Sequence, residues 1–239
     1  MLLQVKGVVF QSIKFKDNQF IVRIFTEQLG LKSFLIRSGK TPKSNMLPVI
    51  QPLNIVEISA NFKENQKLIT PKSIKLHAVY ASIPFDPVKS SVALFLDEIL
   101  YKTIADDYQN ERLFTFLEYA LLSFDALEST RNFHLWFLME LTKYYGFYPQ
   151  INEEETSYFD MMNGETCALR PAHRYYLEGE WKVKWLNLLD KKLPEINTLS
   201  LSGAERNYLL QLLVQYIQLH LENAREIKSL DILHEVFKA

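Results

Sequence analysis

The chain has 239 residues, of which 48% are hydrophobic and 23% charged; this is the composition of a globular protein and excludes a disordered one. The formal net charge is only −1, but residues 1–80 hold 12 Lys and Arg against 4 Asp and Glu, a net of +8, and residues 81–239 carry a net of −9. This division predicts two domains with different partners, residues 1–80 and residues 81–239, of which the basic one faces an anion.

The sequence gives no sign of secretion or of membrane insertion. Its single cysteine, Cys167, excludes a disulfide framework and fits a reducing cytoplasm. The first residues lack the basic start and long apolar core of a signal peptide. No stretch approaches the roughly 18–20 uninterrupted apolar residues of a membrane-spanning helix. We therefore expect a cytoplasmic protein that makes no membrane contact.

Five strands separated by polar turns are predicted in the first eighty residues: 5–13, 20–25, 31–36, 53–62 and 68–76. Gly7 lies inside the first strand, where glycine often marks the bend that a small barrel needs. Pro71 places the fifth strand at an edge or a bulge. This pattern predicts a five-stranded OB-type β-barrel, although an SH3-like barrel would give a similar pattern.

The hydrophobic period changes from two to 3.6 after Pro87, which predicts an all-helical C-terminal domain and an α+β protein overall. Ser202 and Glu205 form a capping box that opens a long helix, and Gly146 ends an earlier one. Residues 151–177 are the least regular part. The other predicted helices span 88–105, from Asn110 to about 127, 181–189, and two that are capped by Thr130 and Ser229.

The residue types of catalysis are poorly grouped. The five histidines are scattered, and no glycine-rich loop could cradle a phosphate. Cys167 and His173 supply two metal ligands, whereas a structural zinc site generally needs four. We therefore expect a protein without catalytic activity, cofactor or structural metal.

A run of cations in the first fifty residues indicates nucleic-acid binding. The loop at 37–44 holds three cations and no acid, and its Gly39 and Pro42 exclude regular structure. OB-folds hold single strands with cations that follow the backbone and aromatic rings that stack on bases. Phe25 and Phe34 are expected in the core. The predicted DNA-binding residues are Lys14, Lys16, Arg23, Lys32, Arg37, Lys40 and Lys43, interleaved with Phe15, Phe25 and Phe34.

A family resemblance runs through the chain. It rests on Thr26-Glu27, Gly30, Arg37 to Lys40, Lys43-Ser44, Gln51-Pro52, Phe137, Gly146-Phe147-x-Pro149 and Ile227-Lys228-Ser229-Leu230. The order and spacing of these segments resemble the RecO family of bacterial recombination mediators. The resemblance implies an N-terminal OB-fold, a helical domain, and basic positions at Arg37, Lys40 and Lys43.

The resemblance also implies function and partners. RecO-like proteins act in the repair of DNA damage, bind single- and double-stranded DNA and promote annealing of complementary strands. With a RecR-type partner they help to load the recombinase, and they bind the acidic C-terminal tail of single-strand-binding protein. A cytoplasmic, nucleoid-associated location follows. Many members hold a zinc with four cysteines where this chain has only Cys167 in residues 151–173, which implies a branch without zinc.

The charge division predicts where partners bind. A domain of net −9 should repel DNA, so the helical half suits protein contacts, with its aromatic residues lining a groove. An acidic tail needs a local cation, for which the candidates are Arg131, Lys143, Arg225 and Lys228. Two other functions fit the same pattern: an OB-fold protein that binds transfer or ribosomal RNA, and a structural adaptor whose basic barrel docks an acidic protein.

Overall fold

The computed structural model describes residues 2–63, 66–105, 108–152, 156–224, 227–230 and 233. The chain forms two compact units, residues 1–126, called here the barrel unit, and residues 127–239, called the helical unit. The assignment of nucleic-acid binding to residues 1–80 and of partner binding to residues 81–239 stays a prediction. No helix within the described ranges is long and apolar enough to cross a membrane.

The barrel unit contains one curled sheet in the strand order β5-β3-β2-β1-β4-β6. Its two edge strands, β5 and β6, follow one another in the chain with only Thr70 between them, so one extended segment borders both edges and closes the sheet. The strands are β1 (Leu2–Lys16), β2 (Gln19–Thr26), β3 (Gly30–Arg37), β4 (Ile55–Asn61), β5 (Leu68–Ile69) and β6 (Pro71–Leu76).

The predicted fifth strand is therefore two strands. The segment pairs with β3 at Leu68 and Ile69 and with β4 from Pro71 onward. Proline has no N–H to donate to a ladder, and Pro71 lies where the segment changes partner. The α+β class and the N-terminal curled sheet are confirmed, and the strand count is corrected from five to six.

Two layers of apolar side chains hold the barrel unit together. Val22, Ile24 and Phe34 point into the barrel and belong to its buried core. Phe25 points the other way and stacks on Phe10, with ring centroids 6.0 Å apart. Phe25 and Phe34 are both 0% exposed, which confirms that they are core residues. A Cβ at Gly7 would lie 2.4 Å from Cγ2 of Ile24, so the barrel needs glycine there.

Two helices complete the barrel unit, α1 (Pro87–Thr103) and α2 (Glu111–Ala126). The Asp86 carboxylate accepts hydrogen bonds from the backbone of Val88 and Lys89, which caps α1 where Pro87 predicts its start. At the end of α2, the Asp125 carboxylate accepts hydrogen bonds from the N–H groups of residues 81, 82 and 83. Asp125 thus fixes the segment that links the barrel to α1.

The helical unit is built on α3 (Phe133–Tyr145), α4 (Gly179–Leu186) and α5 (Gly203–His220), with 3-10 turns at Leu193–Thr198 and Glu222–Ala224. Ser202 and Glu205 cap α5 as predicted, and Gly146 ends α3 with a φ of 84°. Asn132, not Thr130, precedes α3. Residues 229, 230 and 233 are helical, and the rest of the predicted final helix lies outside the described residues.

The prediction of an all-helical C-terminal domain needs correction, because residues 151–177 contribute most of a three-stranded antiparallel sheet. Its strands are β7 (Tyr158–Asp160), β8 (Glu165–Cys167) and β9 (Tyr176–Glu178), in the order β8-β7-β9. Each strand has three residues. Such short strands leave no alternation of apolar and polar residues in the sequence, so periodicity could not find them.

Hydrogen bonds hold the turn between β7 and β8. The Asp160 carboxylate accepts from the N–H groups of Met162 and Asn163 and lies 3.2 Å from Nε2 of His173. Gly164 has a φ of 72°, and a Cβ there would lie 2.6 Å from the Tyr216 hydroxyl. The Cys167 thiol is half-buried, and burial raises its pKa. Over the described ranges, no three His, Cys, Asp or Glu side chains are grouped as metal ligands.

Candidate nucleic-acid interface

Five of the predicted DNA-binding cations lie at one end of the barrel, at the tip of the β1–β2 hairpin and in the loop after β3. Gln19 of β2 pairs in register with Arg37 of β3. The Ser38 N–H donates to the Asn18 carbonyl at 2.8 Å, which joins the start of the loop to the hairpin turn. We call this region the basic end and define it by Lys14, Lys16, Arg37, Lys40 and Lys43.

The loop of the basic end has a defined structure. The buried Ser38 hydroxyl accepts a hydrogen bond from the Met46 N–H at 2.9 Å, and the Gly39 N–H donates to the Ser44 carbonyl at 2.7 Å. A Cβ at Gly39 would lie 2.0 Å from the Ser44 hydroxyl oxygen, so this closure needs glycine. Lys40 and Lys43 are exposed on the closed loop.

The basic end carries cations that form no ion pairs with acids of the described residues. Lys14, Arg37, Lys40 and Lys43 are exposed, and within the described ranges none of them has an ion-pair partner. Asp17, in the hairpin turn, directly follows Lys16 in the sequence. A group of exposed cations at one end of a small barrel attracts a polyanion such as a phosphate backbone.

The other two predicted cations lie elsewhere on the sheet. Arg23 is half-buried in the middle of β2, and its guanidinium lies 5.6 Å from the ring of Tyr101 on α1. Lys32 is half-buried and pairs with Ile24, nearer the β2–β3 turn. The structure therefore does not bring Arg23 and Lys32 to the basic end.

One cation beside the basic end was missed by the sequence reasoning. Lys72 of β6 lines a groove of about 360 Å³ between β3 and β6, together with Arg37 and Ser44. Leu35 and Ile74 supply part of its apolar floor. Only the closure of the sheet brings β6 next to β3, and nothing in the sequence pattern signals that proximity.

The helical unit contains a second cationic site, a polar pocket of about 280 Å³ that we call the arginine pocket. Arg131 and Arg206 both line it, and no carboxylate from the described part of the chain does so. Burial, and then the charge of Arg131, lower the pKa of the Arg206 guanidinium. An anion that entered the pocket would relieve this repulsion.

A buried asparagine positions Arg206. The Arg206 Nε donates to the Asn132 side-chain oxygen at 3.0 Å, and a terminal nitrogen donates to the Leu201 carbonyl at 3.0 Å. The Asn132 Nδ2 in turn donates to the carbonyls of Ile196 and Leu199. Arg206 and Asn132 were both missed, because residues 74 positions apart carry no shared sequence signal.

The remaining predicted peptide-binding residues lie in other surroundings. Lys143 pairs with Glu140 at 2.7 Å, and its ammonium lies 4.4 Å from the centroid of the Tyr148 ring. Lys228 is exposed, and Arg225 lies outside the described residues. Among the described candidates, Arg131 lines the arginine pocket, and Lys143 and Lys228 do not.

A closed β-barrel in the N-terminal unit and a helical C-terminal unit define the class of proteins built around an OB-type fold. The family model "Recombination protein O N terminal" matches residues 1–80, and "Recombination protein O C terminal" matches residues 84–231. The chain therefore belongs to the RecO family, and its function lies in DNA repair.

Curated relatives agree over the full length. The chain is 38% identical over 240 residues to the DNA repair protein RecO of Flavobacterium psychrophilum, covering 99% of this chain and 100% of the relative. It is 34% identical over 241 residues to the protein of the same name from Bacteroides fragilis, with the same shares covered. The corresponding protein of Porphyromonas gingivalis is 30% identical over 245 residues, again with 99% and 100% covered.

Proposed function

We propose that this protein is a non-catalytic recombination mediator that binds single- and double-stranded DNA at the basic end and promotes annealing of complementary strands. The observation that carries the proposal is the grouping of exposed cations without ion-pair partners among the described residues, on a barrel that the RecO N-terminal model matches. Contacts to phosphates do not depend on base sequence, so one cationic surface serves both single strands and duplexes.

Annealing follows from the same electrostatics. Two complementary strands repel one another through their phosphates, and Lys and Arg side chains that neutralise phosphates reduce this repulsion. The closed loop presents Lys40 and Lys43 on a folded backbone, while Lys14 and Lys16 extend along the hairpin. The bases stay unbound by these cations and are available for pairing. No chemical step is needed, so the activity requires neither a catalytic residue nor a cofactor.

We further propose two partners, a RecR-type mediator and the acidic tail of single-strand-binding protein. The arginine pocket supports the second partner, because two arginines that no carboxylate of the described residues adjoins suit a free C-terminal carboxylate. Together these contacts would let the protein act on coated single strands and help the recombinase to load. We place this activity in the bacterial cytoplasm, on the nucleoid.

The proposal is tested by strand annealing with a variant that lacks the loop cations. In this basic-end variant Arg37, Lys40 and Lys43 are all replaced by Ala. We expect the wild type to accelerate annealing of complementary oligonucleotides and the basic-end variant to lose most of that acceleration. An unchanged rate in the variant would place the DNA-binding surface elsewhere.

Competition between single-stranded DNA and a structured RNA tests the assignment to DNA repair. We expect DNA to displace bound RNA at equal nucleotide concentration. Preference for the RNA would favour a function in RNA metabolism, and failure of both nucleic acids to bind would favour an adaptor for an acidic protein.

A further inference from the structure

Phe15 is exposed in a way that the other phenylalanines of the sheet are not. Its side chain is 50% exposed, whereas Phe10, Phe25 and Phe34 are exposed by 1% or less. Burying a phenylalanine side chain is favourable by roughly 1.5–3 kcal/mol, so a ring left in water at this position serves no purpose in the core. The exposed ring is therefore available for a contact outside the fold.

A β-bulge at the tip of the β1–β2 hairpin explains why the ring is exposed. β1 pairs with β4 from Leu2 to Val8 and with β2 from Gly7 to Lys16, so the end of β1 that carries Phe15 extends beyond its pairing with β4. The register passes from Lys14↔Phe20 to Lys16↔Gln19, which leaves Phe15 without a partner residue on β2. Bulges redirect a side chain out of the regular ladder and are common next to functional sites.

Two lysines adjoin the ring. Lys14 and Lys16 flank it in sequence and are both exposed, and the Lys16 ammonium lies 5.4 Å from the ring centroid. The same tip is joined to the loop of the basic end through the hydrogen bond from Ser38 to Asn18. An aromatic face beside cations matches the two groups of a nucleotide, its base and its phosphate.

We propose that Phe15 is a stacking platform for an unpaired base of single-stranded DNA held at the basic end. This inference rests on the proposed function, which it extends from phosphate contacts to a base contact. A base in a duplex is already stacked on both faces, whereas a base in a single strand has a face available. Phe15 therefore gives the protein a preference for single strands that the cations alone do not provide.

The composition around the ring favours DNA over a protein partner as its occupant. The cores of protein–protein interfaces are depleted in lysine, and here two lysines adjoin the aromatic side chain. Sheet-mounted aromatic rings among cations are instead the common arrangement for stacking on single-stranded nucleic acids.

The test measures binding of the full chain to a single-stranded oligonucleotide and to the matching duplex over a range of salt concentrations. Base stacking on an aromatic side chain predicts that Phe15→Ala binds the single strand about 5- to 150-fold more weakly. The duplex affinity should stay near that of the wild type, and so should the slope of log K against log salt, because no phosphate contact is lost. Phe15→Trp should retain single-strand binding.

Two controls separate the loss of a stacked base from the loss of an exposed ring or of the fold. Phe85→Ala removes a ring that is 81% exposed in the same unit, and it should leave all affinities unchanged. A 2-aminopurine base placed in the oligonucleotide should be quenched on binding by the wild type and much less by Phe15→Ala. Because the ring is exposed, Phe15→Ala should melt at the wild-type temperature.

Several results would overturn the inference. Phe15→Ala could bind the single strand as the wild type does, or weaken single strand and duplex equally with a lower salt slope. It could also leave DNA binding intact and abolish binding of the RecR-type partner, which would make Phe15 a protein contact. The proposed function is judged separately: if the basic-end variant also bound DNA normally, the cationic surface itself would be wrongly placed.

Discussion

The basic end of the barrel unit and the arginine pocket of the helical unit both present cations, yet they are built in opposite ways. At the basic end, exposed side chains extend from a hairpin tip and a closed loop. In the arginine pocket, a buried asparagine and a carbonyl hold Arg206 in place. An extended group of exposed cations suits a polymer of phosphates, whereas a pocket that combines the held Arg206 with the exposed Arg131 suits a single anionic group.

Three acids of the barrel unit make contacts that stabilise the fold. Asp125 is engaged with backbone N–H groups, and Glu118 contacts Lys6 and His77. Hydrogen bonds from Lys75 and then His77 lower the pKa of the Glu57 carboxyl to about 2. These acids serve the fold away from the basic end, so its positive charge remains unbalanced by them.

The largest effect on stability is expected from removing the asparagine that holds the arginine pocket. Asn132→Ala removes the hydrogen bonds that the Leu199 carbonyl and the Arg206 Nε make with Asn132, in a site where Asn132 is 3% exposed. It also removes one of two hydrogen bonds to the Ile196 carbonyl, which still accepts from the Leu199 N–H. We expect a loss of about 2–4 kcal/mol in the free energy of unfolding, measured by urea denaturation.

The matched control is Asn197→Ala, which removes an exposed asparagine from the same pocket. This substitution should lower the free energy of unfolding by well under ~1 kcal/mol. If Asn132→Ala were as mild as the control, the pocket would not depend on Asn132, and the contrast with the basic end would be lost. The basic-end variant, by comparison, should unfold like the wild type.

A smaller effect is expected from Asp125→Asn in the barrel unit. Burial alone would raise the pKa of this carboxyl, but hydrogen bonds from Ile83, Ala81 and Ser82 outweigh it and lower the pKa. Because the carboxylate is only partly buried, solvent screens it, and we expect Asp125→Asn to lower the free energy of unfolding by about 1–2 kcal/mol.

The pH dependence of this contribution has a definite sign. A carboxyl whose folded pKa is lowered stabilises the protein above its unfolded pKa of about 3.9, and the contribution disappears as pH falls through the folded value. The wild type should therefore lose stability below about pH 4 more steeply than Asp125→Asn. Parallel melting curves for the two proteins between neutral and acidic pH would show that Asp125 does not fix the linking segment.

A substitution in the arginine pocket should weaken binding of a peptide partner and leave DNA binding unchanged. Arg131→Ala removes one arginine from the pocket, and we expect it to weaken binding of an acidic tail peptide to the full chain about tenfold. Fluorescence anisotropy of a labelled peptide measures the loss. Lys143→Ala is the control and should change little, because Lys143 is already paired with Glu140. Equal losses of DNA and peptide binding in Arg131→Ala would show that the two sites do not bind different ligands.

The smallest effect is expected from the ion pair between the barrel and α2. The Lys6 ammonium lies 2.7 Å from the Glu118 carboxylate at a partly exposed position. Such pairs contribute about 0.5–1 kcal/mol, so Glu118→Gln should lower stability by that amount and leave DNA affinity nearly unchanged. A marked gain in DNA affinity would show that Glu118 screens the basic end after all.

Local signals in the sequence predicted much of this molecule because their physical causes are local. The capping box at Ser202 and Glu205, the helix end at Gly146 and the start of α1 at Pro87 all follow from residues within one turn of each other. The burial of Phe25 and Phe34 follows from strands that are apolar on both faces. The small sheet in residues 151–177 escaped because three-residue strands show no period.

The parts of the candidate sites that sequence could not predict depend on distant contacts. Lys72 joins Arg37 because β5 and β6 close the sheet, and Arg206 joins Arg131 because Asn132 bonds across 74 residues. The exposure of Phe15 depends on a bulge whose position is set by pairing with β2. Arg23 was grouped with the cations of the basic end by sequence proximity, whereas strand direction takes it to the middle of the sheet.

The salt dependence of DNA binding tests most directly whether DNA phosphates bind the cations of the basic end. The basic-end variant should lower the magnitude of the slope of log K against log salt by about two units on single strands and nearer three on duplex, close to one per lost phosphate contact. The matched control replaces Lys63, Lys67 and Arg112, three exposed cations of the same unit, by Ala and so carries the same net charge. We expect this control to keep the wild-type slope. An equal reduction of the slope in both variants, or in neither, would show that DNA does not bind at the basic end.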